Sequence, residues 1–399
     1  MRKENNNSGY FFVYYKNNLS VIFLSKSCLL LFMFCFFQGL EINYSFSSEL
    51  FFTFPKNYLM RTKYLLTVLV FILFQNNMEA QNKTGYKVIK TFHIASPGGW
   101  DYIAVNNNKV YVSHGTQVNI LDENTGDSAG VIPNTTGVHG VAFDNKAGHG
   151  FTSNGRLNNV TVFDLKTNTI ITQIPTTGDN PDAIMYEPFT KTIITNNGSG
   201  KNLSFIDPEK NMVIHTVELD GKPEEGVSDG KGKLFVNLED KSEIAVVDLK
   251  TFKVIARWPL APGEGPSGLA IDTKTNRLFS TCSDSKLLMV MDDTNGKIIA
   301  QLPMGEGVDG AAFDESKKII FAPAGRSGTI AAYKETSANK FENMGTILTK
   351  PGARTIVIDK NTGALFLPTA EFEPADPKNP NARRKMIAGT FQVLKVANY

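Results

Sequence analysis

One short phrase recurs seven times in this chain: a polar residue, a small or apolar residue, then an apolar run that usually ends in Asp. The copies open at Asp101, His139, Asp182, Glu225, Ser267, Asp309 and Arg354, so the steps between them are 38, 43, 43, 42, 42 and 45 residues. The same sequence of features follows most copies. First comes turn chemistry, as in Asp144-Asn145-Lys146-Ala147-Gly148 and Asp359-Lys360-Asn361-Thr362-Gly363. Asp, Asn and Gly at such places cap or tolerate the backbone of a tight hairpin loop. A second short strand follows, such as Val110-Tyr111-Val112 or Leu234-Phe235-Val236. After a polar loop, a third run ends in Asp, as in Val162-Phe163-Asp164 and Val246-Val247-Asp248. A fourth run ends near Pro, as in Ile298-Ile299-Ala300-Gln301-Leu302-Pro303.

Short strands in units of this length, with no helical stretch between them, define a β-propeller with one four-stranded blade per unit. The expected fold is therefore all-β: a seven-bladed propeller over residues 81–399. Gly and Ala in the first strand of each unit suit the crowded axis, where blades approach closely. The seventh unit has an inner strand after Arg354, then 364–367 and 391–396, and the chain ends before a fourth. The orphan strand at 86–94 is expected to complete that blade. This closes the ring and leaves no long sheet edge exposed.

Residues 1–59 read differently. They hold 11 of the 28 Phe and two of the three Cys, with one Pro and two Gly. They are read as an upstream extension foreign to the native protein, the rival reading being a membrane anchor at residues 21–37, near the lower length limit for a span. Met60-Arg61-Thr62-Lys63 is a short basic head before an apolar run at 64–74 and a polar exit ending at Ala80. That is the pattern of a secretory signal peptide over 60–80, although Met78 stands where a small residue is usual. The protein is thus expected to be exported, to the periplasm or outside the cell. Contact with a membrane is expected only through the signal peptide or an uncleaved anchor.

Residues 1–80 carry seven basic and four acidic residues of the chain's 41 and 39, leaving 34 and 35 in the rest, a net charge of −1. That balance offers no electrostatic case for nucleic acid. Cys282 is the one cysteine after residue 80, so an intrachain disulfide is excluded there and the fold must rest on its core. A monomer is expected.

The third strands carry a further pattern, Val or Phe, any residue, Asp, then Lys or Glu and Thr. It is seen in Asn159-Val160-Thr161-Val162-Phe163-Asp164-Leu165-Lys166-Thr167 and in Ile244-Ala245-Val246-Val247-Asp248-Leu249-Lys250-Thr251. Over about 85–399 the units resemble the YVTN-type β-propeller repeats of the YncE-like family of exported bacterial proteins. The resemblance implies export and a binding role, and no shared reaction. Blade 6 departs from it, with Tyr333 where Asp is expected.

The repeated Asp122, Asp164, Asp207, Asp248 and Asp292 sit at strand ends, where a carboxylate accepts from a backbone N–H two residues on. They are read as turn formers. The residues that open the inner strands are more informative. Asp101, His139, Asp182, Glu225, Ser267, Asp309 and Arg354 are expected to ring one mouth of the central channel. Trp100 stands beside them. The second-to-third-strand loops add His114, Asn154, Arg156, Asn197, Asn237, Asp284 and Arg326 to the same face.

Oxygen-rich surroundings at Asp101, Asp182, Glu225 and Asp309 suit Ca²⁺ or Mg²⁺, and His139 would admit a transition metal. The bland alternative is a water-filled mouth in which Arg354 neutralises its acidic neighbours. The Pro-rich, charged loop at 371–389 reads either as a functional insertion or as a tolerated excursion. No nucleophile elbow, phosphate loop or paired-histidine spacing is present.

The expected function is an exported, non-enzymatic propeller that binds a small molecule or protein partner at its loop-rich mouth. The alternative is a lactonase-like hydrolase, in which a divalent cation or His139 polarises the substrate and Asp182 or Glu225 is the general base. That alternative rests on shared architecture alone. The sequence does not name the ligand.

Overall fold

A computed structural model of the chain describes residues 84–374 and 384–398, with the backbone of Tyr14–Tyr15 and Asn18–Leu19. The chain divides after Leu73 into two units, and in the first the described residues are that one antiparallel pair. Apart from those four residues, the extension at 1–59, the anchor at 21–37 and the signal peptide at 60–80 lie outside the described residues.

The second unit holds seven four-stranded antiparallel sheets. In blade 2 the order from the axis outward is Val138–Asp144, His149–Asn154, Asn159–Asp164 and Ile170–Pro175. The other inner strands are Trp100–Asn106, Pro181–Glu187, Pro223–Ser228, Pro266–Asp272, Ala312–Asp314 and Val357–Ile358. The seventh sheet is composite. Its strands Val357–Ile358, Leu365–Thr369 and Gln392–Asn398 are completed by Tyr86–His93 from the start of the repeat region. Tyr86 lies opposite Asn398 and His93 opposite Gln392, so the ring closes as the sequence predicts.

The core lies between neighbouring blades. Tyr111, Val118, Ile120 and Ile132 of blade 1 pack on Val138, Val141 and Phe163 of blade 2. Phe235, Ile244 and Val246 of blade 4 pack on Leu269, Leu278, Met289 and Met291 of blade 5. At the axis there is no room for side chains in places. A Cβ on Gly268 would lie 2.2 Å from the carbonyl carbon of Gly310 in the next blade. Glycine there is required by the approach of two backbones.

The Asp series does what strand-end position predicts. Asp122 Oδ1 accepts from the N–H groups of Asn124 and Thr125, both at 2.8 Å. Asp248 Oδ1 accepts from Lys250 at 2.9 Å and Thr251 at 2.8 Å. These backbone bonds hold both carboxyls below their usual values. Replacing Asp248 with Ala is expected to lower Tm by about 2 °C without changing any ligand affinity. A melt paired with a binding isotherm reads both. In blade 6 the register places Lys334, not Tyr333, at the equivalent position, since Ile319 pairs with Lys334 as Arg277 pairs with Asp292.

Five inner strands open with the same irregularity. Trp100 pairs with His114 and Ile103 with Val112, so Asp101 and Tyr102 share one partner, Ser113. The step recurs at Val138/Val141, Pro181/Ile184, Pro223/Gly226 and Pro266/Leu269. Such a bulge bends the strand and re-aims its side chains. The facing residues on the second strands hold it in place. Gly140 N donates to Ser153 Oγ at 2.9 Å, and Ser153 in turn donates to the Asp182 carbonyl of the next blade. Asn196 reaches the Glu224 carbonyl. Asn237 Nδ2 reaches the carbonyls of Ser267 and Gly268 at 3.1 and 3.0 Å. Thr355 Oγ1 closes the circuit on the Asp101 carbonyl at 2.7 Å. The bulges of blades 1, 3, 4 and 5 are thereby each bonded to the preceding blade, so the side chains they turn toward the axis stand on a rigid frame.

Candidate functional site at the channel mouth

Inner-strand starts and second-to-third-strand loops share one end of the propeller. Trp100 pairs with His114, Val138 with Asn154 and Pro181 with Asn197. At this end side chains from blades 1, 2, 3, 6 and 7 meet, which only residues facing the axis can do. His139 Nδ1 lies 2.6 Å from Asp101 Oδ2 and 3.5 Å from Asp182 Oδ1. Arg354 Nε donates to Asp309 Oδ2 at 2.9 Å. Its Nη2 reaches the Trp100 carbonyl at 2.8 Å and Asp101 Oδ1 at 3.5 Å.

The sequence reading placed Glu225 in this ring, and the register corrects it. Pro223 aligns with Pro181 and Pro266, so Glu224 is the equivalent of Asp182 and Ser267. Glu224 is paired with Lys222 at 2.8 Å, and Lys222 also pairs with Glu239. Glu225 stands one residue further on, where Oε2 accepts from Leu269 N at 2.8 Å. Aligning the three prolines in sequence would have found Glu224. Tyr102, the second bulge residue of blade 1, was also missed. Burial and the carboxylates of Asp182, Glu224, Asp101 and Glu225 raise its phenol well above the usual value.

The electrostatics follow from crowding acids in a half-buried space. Burial, then the charge of Asp101, lifts Asp182 to about 7. Burial, then Asp182, lifts Glu224 to about 8. Burial lifts Glu225 to about 8, against the Leu269 hydrogen bond. Burial, then Asp101, lifts Asp309 to about 6. Burial disfavours charge on His139, but the hydrogen bond it donates to Asp101 and the charge of Asp182 outweigh it and carry the imidazole to about 9.

Other residues expected at the mouth serve the frame. His114 is fully buried, bonded through Nδ1 to Ser96 Oγ at 2.7 Å and through Nε2 to the Gly98 carbonyl at 2.9 Å. Its ring stacks on Phe391 at 3.9 Å. Asn154 bonds Asn159 and Thr161 of its own blade, and Asn197 bonds Asn202 and Ser204. Asn237 is the latch already described, and Ser267 Oγ donates to the Val308 carbonyl at 3.1 Å. Trp100 packs between blades 1 and 7, 5.4 Å from Phe391 and under the Arg354 guanidinium at 5.6 Å. Arg156, Asp284 and Arg326 are exposed on the rim. The 371–389 loop leaves the propeller as a short ribbon, with Glu373 N bonded to the Lys385 carbonyl and Ile387 N to the Glu371 carbonyl. Residues 375–383 lie outside the described residues.

The geometry thus defines a propeller with an acidic, latched channel mouth. A family model described as YNCE-like beta-propeller matches residues 127–337, and the chain belongs to that family. No curated protein matches the sequence. Among solved structures, Kuenenia stuttgartiensis hydrazine synthase is similar at 13% identity and a TM-score of 0.61, covering 74% of this chain and 98% of its own. The WD40 repeats of RRP9 are similar at 8% identity and a TM-score of 0.64, covering 78% of this chain and 97% of their own. At such identities the likeness is one of fold.

Proposed function

We propose that this chain is an exported, non-enzymatic propeller that binds a positively charged ligand at its channel mouth. The observation that carries the reading is the charge balance there. The carboxylates of Asp101, Asp182, Glu224, Glu225 and Asp309 gather around the cationic groups of His139, Lys222 and Arg354. Burial holds Asp182, Glu224 and Glu225 protonated to about 7 or 8, and an incoming cation can displace those protons and supply the counter-charge that lets the carboxylates ionise. Export is supported by the basic head and apolar run that begin at Met60. Among the described residues, Ser267 is tied to the Val308 carbonyl and Cys282 is buried, so neither is placed as a nucleophile at the mouth.

The test is calorimetric titration of the chelator-stripped full-length chain with Ca²⁺, Mg²⁺ and 1,4-diaminobutane at low salt. Saturable binding of at least one cation is expected, weakened about tenfold or more by Glu224→Gln. If no cation binds at millimolar concentration, the reading fails.

A second reading, the lactonase-like hydrolase, is favoured by one observation: the His139–Asp101 pair lies beside Asp182, whose proton is poised to move near neutral pH. Turnover of a lactone panel that Asp182→Asn abolishes would replace the binding reading with this one.

A further inference from the structure

We propose that Asp101, His139 and Asp182 together chelate one divalent transition-metal ion, of which Zn²⁺ is the most direct probe. The inference rests on the reading of the mouth as a cation site and names the class of ion. Each of the three side chains offers one donor atom, and the three atoms lie within 4.8 Å of one another. Donors bound to zinc at about 2.0–2.2 Å sit roughly 3.5 Å apart in a tetrahedron. His139 Nδ1 and Asp182 Oδ1 already stand at 3.5 Å. The Asp101 contact at 2.6 Å needs only to lengthen as an ion replaces the hydrogen bond.

Two observations beyond the clustering point to an ion. The first is the state of Asp182. Its side chain is 13% exposed, and its carboxylate accepts no hydrogen bond among the described residues, the nearest donor being His139 Nδ1 at 3.5 Å. A largely enclosed carboxylate held only by one long contact marks a place where an ion or ordered water belongs.

The second is how His139 is held. The Asn180 side chain borders the same small space as its Nε2 edge. Asn180 has a left-handed backbone with φ of 55°, and its N–H donates to Asn158 Oδ1 at 2.8 Å. Gly155 leaves the space for this arrangement. A Cβ there would fall 2.5 Å from Asn180 Oδ1 and 2.6 Å from His139 Nε2. Nδ1 faces the two carboxylates, and Nε2 and Asn180 Oδ1 line the space that Gly155 leaves open behind the ring. A metal-ligating histidine is usually oriented by an oxygen that accepts from its other ring nitrogen, and Asn180 Oδ1 is the group placed to take that part as an ion draws Nδ1 forward.

The donor set selects the ion. One imidazole and two carboxylates suit Zn²⁺ or its first-row neighbours, with a remaining position free for water or ligand. Ca²⁺ takes six to eight oxygens, more than these three side chains supply.

The experiment is calorimetry on the full-length chain, stripped with chelator and titrated separately with Zn²⁺, Mn²⁺, Ca²⁺ and Mg²⁺. One Zn²⁺ per chain is expected, bound about a hundredfold tighter than Ca²⁺. Asp182→Asn and His139→Gln should each weaken Zn²⁺ about a hundredfold or more, and Asn180→Ala by 10- to 100-fold, as orienting partners do. The rim variant Asp284→Asn should bind as the parent does. Melts of the metal-free variants identify any that fail to fold, and Co²⁺ substitution gives a visible absorption that His139→Gln should alter in a folded chain. Zn²⁺ binding that survives both Asp182→Asn and His139→Gln overturns the site. Binding of Ca²⁺ as tight as Zn²⁺, weakened by Glu224→Gln and not by Asn180→Ala, overturns the chelate while leaving the cation-binding reading of the mouth intact. Absence of binding by all four ions overturns the chelate, and the diamine titration then decides whether the mouth takes organic cations.

Discussion

Removing residues 84–94 is expected to abolish the native propeller, leaving aggregated protein in place of the seven-bladed fold. The segment supplies the outer strand of blade 7, and its removal bares the full length of Gln392–Asn398 as an unpaired edge. It also supplies core. Tyr86, Phe92 and Ile94 are 1%, 3% and 5% exposed. Tyr86 packs edge-on against Phe321 of blade 6 at 5.1 Å, and its hydroxyl accepts from Lys317 Nζ at 2.9 Å. Phe92 stacks with Phe366 at 6.3 Å. Burying three such side chains contributes about 5–8 kcal/mol as an upper estimate. That is comparable to the whole net stability of a domain, about 5–15 kcal/mol. Phe92→Ala in the intact chain is the graded version, expected to cost about 3–5 kcal/mol in denaturant unfolding. A deletion variant that keeps the parent's oligomeric state and melting temperature would show that the ring holds without its closing strand.

That closure was legible in the sequence because each step of it is local. A strand that alternates, a turn that needs Asp or Gly, and a last unit one strand short are all read within a few residues. The positions where Phe recurs on second and third strands, such as Phe151, Phe205, Phe235 and Phe279, are likewise set by a period of two inside each blade. The site was less legible. The sequence gives seven ring positions equal standing, yet the structure joins Asp101 to His139 and Arg354 and leaves Ser267 bonded to backbone. Which members meet across the axis depends on side-chain length and on the bulge, and the bulge has no signature in one unit alone. It shows only when Pro181, Pro223 and Pro266 are aligned, and that same alignment moves the blade 4 position from Glu225 to Glu224. His114, Asn154, Asn197 and Asn237 misled for a related reason. Polar residues at strand ends resemble ligands in a sequence, but a bulged frame has many backbone and side-chain groups to satisfy, and these four are used for that.

The metal-free chain is expected to lose stability steadily as pH rises from 6.5 to 9, with Tm falling by about 5 °C. The groups involved crowd one another from six blades: Asp101 and Tyr102, His139, Asp182 with Asn180, Lys222 with Glu224, Glu225 and Glu239, Asp309, and Arg354. Burial leaves Glu224 and Glu225 protonated to about 8 and Asp182 to about 7. The unfolded chain loses those protons near pH 4, so the folded state binds more of them, and the stability they contribute disappears as pH climbs through the folded values. His139 acts in the same direction. Its contribution is complete below about 6.5, the unfolded value, and is lost as pH rises through 9. The turn carboxyls do not interfere, because Asp122, Asp248 and their equivalents titrate below their usual values and are fully ionised across the window. Thermal melts in matched ionic strength read the slope directly. The double variant Asp182→Asn, Glu224→Gln should flatten it, since an amide keeps the shape and removes the proton that is lost. A bound cation should flatten it too, because the charge it brings compensates the carboxylates as they ionise. A parent chain whose Tm is unchanged over this range would mean that water in the channel screens the acids, and the electrostatic argument for a cationic ligand would then lose its force.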